Sequence, residues 1–93
     1  MVALVAILRA KAGLAGPLKE RLMSLVEPTL AEPGCVQYDL HQGTEDPNTF
    51  VFYERWKTAE DLAEHAGRPH MLAFGSVAKG LVATRELIHL TAA

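Results

Sequence analysis

The side chains best equipped for chemistry in this chain lie between Cys35 and Phe74. His65 stands three residues after Leu62 in a short helical stretch, so the two share an inward-facing side. An imidazole has an ordinary pKa of about 6.5, which makes it the natural general base near neutral pH. A histidine at a helix end can equally bond a carbonyl or stabilise the helix C-terminus. Glu54 is the second candidate. Alternation through Phe50, Phe52, Glu54 and Trp56 puts a carboxylate on an apolar, aromatic face. Such a group must be paired or protonated. It would either tie sheet to helix, through His65 or Arg9, or orient His65 and raise its basicity.

Around these two stand residues that could hold an aromatic ring. His70 is four residues before Phe74, at the border of an apolar helical face, where it would line a pocket mouth or sit in solvent. Tyr38 packs its ring and keeps a hydroxyl for bonding. Phe52, Trp56 and Phe74 would form either a ring-stacking wall or plain core. Cys35 follows a Pro-Gly turn and has no sequence neighbour that would stabilise a thiolate, so packing is its expected role. His65, His70 and Glu54 could in principle ligate a metal. On a continuous helix a spacing of five sets two histidines about 140° apart, which is poor for chelation, and no metal is expected. No glycine-rich phosphate loop is present, so a nucleotide cofactor has no positive signal.

The elements that must position these groups can be read from periodicity. Residues 2–9 are apolar almost throughout and rich in β-branched types, as in a strand covered on both faces. Pro17 suits a first helical turn, and Leu14, Leu18, Leu22, Leu25 and Leu30 follow helical spacing. Pro28 should kink or end that helix. Glu32-Pro33-Gly34 is a turn. Val36, Tyr38 and Leu40 share one face of a second strand, residues 42–48 form a hairpin loop, and residues 50–57 form a third strand. Thr58 caps a short helix with Asp61 near the capping-box position. Gly67 and Pro69 end it, and a further helix carries Met71, Phe74 and Leu81 inward, with Gly80 as its stop. Residues 84–91 alternate again, with Leu87 and His89 opposed to Glu86, Ile88 and Leu90.

The order is β-α-β-β-α-α-β. Helices segregated to one side of four strands give an α+β, ferredoxin-like antiparallel sheet in a single domain, residues 1–93. Nothing in the chain covers the other sheet face, and 93 residues make a marginal monomer. A homodimer with the two sheets face to face, a dimeric α+β barrel, is expected. Nine Lys and Arg against eleven Asp and Glu leave a net charge of −2, which argues against nucleic acid as a partner. The longest apolar run, Met1–Leu8, is far short of a membrane span and lacks a signal peptide's basic start, so a cytoplasmic protein is expected.

One ordered series of residues resembles a known family. Glu32-Pro33-Gly34-Cys35, then Tyr38, Asp46-Pro47, Phe52-Tyr53-Glu54-Arg55-Trp56, His65 and His70 are similar to the antibiotic biosynthesis monooxygenases, above all their quinol monooxygenase branch. The resemblance implies oxidation of a phenolic or quinol-like small molecule by O₂, with no cofactor. It implies a pocket between sheet and helices, and a last strand that contacts a partner subunit. His65 would be the base, Glu54 its partner, and Tyr38, Phe52, Trp56, His70 and Phe74 the substrate-binding set. Haem-degrading relatives use an Asn, Trp and His set. Here Asn48 is the only asparagine and lies in the hairpin loop, and Gly75 follows Phe74, so haem chemistry is not expected. Two other uses of the same fold stay open: a non-catalytic binding or stress-response protein, and a lactone isomerase-type enzyme that transfers protons without O₂.

Overall fold

The computed structural model describes residues 1–93. Its elements are β1 (Val2–Ala10), α1 (Ala15–Leu30), β2 (Cys35–Gln42), β3 (Thr49–Trp56), α2 (Ala59–His65), α3 (Pro69–Leu81) and β4 (Val82–Leu90). The strands form one sheet in the order β2-β3-β1-β4, and every neighbouring pair is antiparallel. This is the α+β, ferredoxin-like arrangement that the periodicity predicts.

Registry decides which side chains meet beneath the helices. Tyr38 pairs with Glu54, Glu54 with Leu4, and Leu4 with His89, so these four form one row across the sheet. The next row runs Leu40, Phe52, Ala6, Leu87. Because strand side chains alternate, both rows face the helix layer. Leu18, Leu22 and Leu25 of α1 are buried against Leu4, Leu8, Phe50 and Phe52. Ala6 is the small member of this face, and a short side chain between Phe52 and Leu87 leaves room above the sheet.

The helix ends set the site's frame. Helix α1 continues through Pro28 to Leu30 rather than ending there. Proline removes only one backbone donor, and in the last turn little helix remains to lose. The Glu32-Pro33-Gly34 turn then closes, with Cys35 N–H donating to the Glu32 carbonyl at 3.1 Å and Lys57 N–H to the Gly34 carbonyl at 2.9 Å. Gly34 has φ +151°, and a Cβ there would run into the Asp61 side chain. Only glycine lets the turn lie this close to α2. Thr58 caps α2 as expected: its hydroxyl accepts from Asp61 N–H at 3.1 Å and donates to the Asp61 carboxylate at 2.9 Å. Between α2 and α3, Arg68 N–H donates to the His65 carbonyl at 3.1 Å, and Pro69 opens α3. Helix α3 passes Gly80 and ends at Leu81.

The other sheet face is uncovered. It carries Val5, Ile7, Val51 and Tyr53, half-buried, and the exposed Ile88 and Leu90. No helix of the chain is long and apolar enough to cross a membrane.

Candidate active site

The site is built around a carboxylate that sequence reading placed only in a turn. Glu32, His65 and Glu54 are each no more than 8% exposed. His65 Nδ1–H donates to Glu32 Oε2 at 2.7 Å, and His70 Nε2–H donates to the same oxygen at 2.8 Å. Arg68 Nε stands 3.4 Å from the other oxygen, Oε1. Two imidazole N–H groups thus satisfy one carboxylate oxygen, while Oε1 and Arg68 Nε face each other as an ion pair without a hydrogen bond. The break at Gly67 and Pro69 makes this possible: it turns His70 back until the two imidazole centroids are 6.0 Å apart.

His65 is packed on its other sides by rings. Trp56 lies 4.8 Å away centroid to centroid, and Tyr38 meets it edge-on at 5.6 Å. Tyr38 in turn stacks on Phe52 at 4.4 Å. With Nδ1 committed to Glu32, Nε2 makes no hydrogen bond within the chain and is the nitrogen left for a ligand. This is the logic by which a carboxylate fixes an imidazole's tautomer and supports the imidazolium once formed.

A cavity of about 240 Å³ lies between the sheet and the helices, and His65 is on its wall. Leu4, Ala6, Leu8 and Phe52 form its sheet side; Leu22, Leu25, Leu62, Met71 and Phe74 close it from the helices. Tyr38, Glu54, Arg85 and His89 supply polar groups in an otherwise apolar wall. Such a space suits a small aromatic ring with few polar substituents.

Glu54 does not bond His65. Its Oε1 accepts from Trp56 Nε1–H at 3.0 Å. Burial pushes the Glu54 carboxyl above its ordinary pKa, against the pull of the Trp56 hydrogen bond and of the charges on His65 and Arg85. Burial chiefly, helped by the Glu54 charge, also raises the Tyr38 hydroxyl, so it is a neutral donor at physiological pH. The Cys35 thiol is pushed up to about 11 by burial and by the Glu32 and Glu54 charges, which leaves it protonated and poorly nucleophilic.

Of the residues singled out from sequence, His65, Glu54, Tyr38, Phe52 and Phe74 meet at the cavity. Trp56 is fully buried behind His65, and His70 sits beyond Glu32; neither is on the cavity wall. Glu32, Arg85 and His89 were not foreseen. Alternation in the last strand already paired His89 with Leu87, and could have pointed to it. For Glu32 the only signal was its place at the head of the Glu-Pro-Gly motif.

Known proteins share this fold. The antibiotic biosynthesis monooxygenase family matches residues 1–76. The chain belongs to that family. "Putative monooxygenase YcnE" of Bacillus subtilis is 35% identical over 80 residues, covering 86% of this chain and 82% of YcnE. "Putative monooxygenase Rv0793" of Mycobacterium tuberculosis is 39% identical over 57 residues, covering 61% of this chain and 55% of its own. The uncharacterized protein sll1783 of Synechocystis is matched over 47% of its length, so the chain spans about half of these last two relatives. Among solved structures, PA3566 from Pseudomonas aeruginosa superposes with a TM-score of 0.96 at 34% identity, covering 99% of this chain and 93% of that one. A family member from Nitrosomonas europaea gives 0.93 at 27%, covering 99% and 98%. The family's fold is therefore complete here, with Glu32, His65 and the cavity between its sheet and helices.

Proposed function

We propose that this family member is a cofactor-independent monooxygenase that oxidises a small quinol or phenol with O₂. One observation carries the reading: a buried histidine on the wall of an apolar, ring-sized cavity, with Nδ1 bound to a buried carboxylate and Nε2 free. The names of the YcnE and Rv0793 relatives support the reaction class.

In this reading His65 Nε2 takes the proton of an aromatic hydroxyl, and Glu32 stabilises the imidazolium. Glu54 and Tyr38, neighbours in one sheet row, orient the ring. The electron-rich phenolate passes one electron to O₂, and the resulting radicals combine to form a carbon–oxygen bond. The imidazolium returns its proton to the peroxide. Loss of the ring C–H proton and cleavage of the O–O bond then leave a carbonyl and water. In sum, a phenol and one O₂ give a quinone and one water, and all four electrons that reduce the two oxygen atoms are drawn from the ring.

The test is O₂ consumption by metal-stripped protein against a panel of quinols and phenols, beside a His65→Ala variant. Uptake that collapses in the variant supports the reading. Aromatic binding without turnover would make this a binding protein instead. Turnover under argon would make it a proton-transfer enzyme of the lactone isomerase kind, using the same Glu32–His65 pair.

The reading includes a cytoplasmic homodimer. Its support is the uncovered sheet face and the exposed apolar Leu87, Ile88 and Leu90 on the edge strand β4. Light scattering at micromolar concentration should return twice the chain mass, and Ile88→Asp should lower it. A monomer across that range would overturn the assembly.

A further inference from the structure

We infer that Glu32, His65 and His70 form a binding site for a divalent transition-metal ion of the zinc or cobalt class, and that the ion and a basic His65 exclude one another. The donor atoms are His65 Nδ1, His70 Nε2 and a Glu32 oxygen, and all lie within 4.8 Å of one another. Two imidazoles and one carboxylate suit Zn²⁺, which keeps a fourth position for water. In the metal-free chain both nitrogens approach Glu32 Oε2 at 2.7 and 2.8 Å, because a proton bridges each contact. Bond lengths near 2.0–2.1 Å in a tetrahedron need donor separations of about 3.4 Å. Each histidine nitrogen must therefore draw back from the carboxylate oxygen by less than an ångström, while the two nitrogens, within 4.8 Å of each other, close by up to about 1.4 Å, which rotation of the half-buried His70 side chain can supply.

Two further features fit an ion. Arg68 stands against the Glu32 oxygen that the histidines do not use. It would orient the carboxylate from outside while leaving Oε2 for the metal, as outer partners do in metal sites. Access comes through His70, whose side chain is 19% exposed while those of Glu32 and His65 are closed off at 6% and 7%. An ion can reach the buried oxygen from that side without passing through the aromatic cavity.

The consequence for His65 follows from its tautomer. A metal on Nδ1 displaces the proton there, and the neutral ring then carries its proton on Nε2. The nitrogen facing the cavity becomes a donor and can no longer accept a proton. Loss of oxygenase activity on metal loading rests on the function proposed above; binding itself does not.

Apo-protein should be titrated with Co²⁺ and followed by its visible absorption, with Zn²⁺ as competitor. We expect one ion per chain, a tetrahedral spectrum without a thiolate charge-transfer band, and displacement by Zn²⁺. His70→Ala, at a part-buried position in the first turn of α3, should keep the fold and weaken binding by at least about tenfold. Glu32→Gln should do the same where it folds. Cys35→Ser should bind as well as the parent. No binding, a thiolate band, or affinity unchanged in folded His70→Ala would each overturn the site. Binding in a protein that consumes no O₂ would leave the site standing and remove the oxygenase.

Discussion

His65 and Glu32 are thirty-three residues apart in sequence, yet His65 Nδ1 lies 2.7 Å from Glu32 Oε2 in a buried contact. The Gly34 turn delivers the carboxylate, and the capped helix α2 delivers the imidazole. Neither element could align the pair alone, because a carboxylate left unpaired at this depth would pay its full desolvation cost.

The first prediction separates the two buried carboxylates. Glu32→Gln removes the charge that supports a protonated His65, whereas Glu54→Gln leaves that contact intact. Steady-state O₂ uptake should show kcat lowered about 10- to 100-fold by Glu32→Gln. A larger loss from Glu54→Gln than from Glu32→Gln would return the orienting role to Glu54.

Glu54 sets a pH dependence of stability. Its carboxyl is raised in the folded chain by burial. A group whose folded pKa is raised contributes fully below its unfolded value, about 4.3, and that contribution is lost as pH rises through the folded value. Near neutral pH the buried Glu54 carboxyl therefore weakens the fold. Thermal melts should show Glu54→Gln more stable than the parent near neutral pH, by about 4–8 °C for each kcal/mol of relief. The difference should vanish below the unfolded value. A parent protein that melts higher than Glu54→Gln near neutrality would contradict this.

Gly34→Ala meets two obstacles, the positive φ of +151° and the Asp61 side chain. Denaturant unfolding should report a loss of about 1–3 kcal/mol from backbone strain. The same change should weaken the Thr58–Asp61 cap and shift Glu32 from His65, so activity should fall more than stability alone explains. An unchanged unfolding midpoint would show that the turn has room to spare.

Ala6 leaves the space that the cavity occupies. Ala6→Leu should fill it from the sheet side and be tolerated, since overpacking here displaces no existing side chain, at a cost within about 1–3 kcal/mol. Titration of aromatic ligands, followed by the fluorescence of Trp56, should show affinity lowered more than tenfold on the scale of about 1.4 kcal/mol per decade. Undiminished affinity would place the ligand elsewhere.

Much of this was legible in the residues. Alternation in β2 and β3 put Tyr38 on one face of its strand and Phe52 and Glu54 together on one face of theirs, and the spacing from Leu62 turned His65 inward. The capped start of α2 followed from Thr58 and Asp61. Those readings succeed because strand and helix periods are local and set by backbone geometry. Glu54 was given the wrong partner for the same reason. A period tells which face a group is on, not which neighbour reaches it first, and Trp56 N–H, two residues on along the same face, claims its oxygen.

The sequence by itself determined the element order, the residues that share a face in the second and third strands, the family and the presence of a histidine near an aromatic surface. Only the tertiary structure decided that Glu32 is the partner of His65, that His70 joins the same carboxylate, and that Ala6 lies beneath a cavity. Glu32 lies in a turn, where no repeating period marks an inward side. Its role depends on the packing of that turn against α2 and on the reversal at Gly67–Pro69. Both are contacts between segments far apart in sequence, and burial makes them mandatory, because a charge removed from water must find its partners inside the fold.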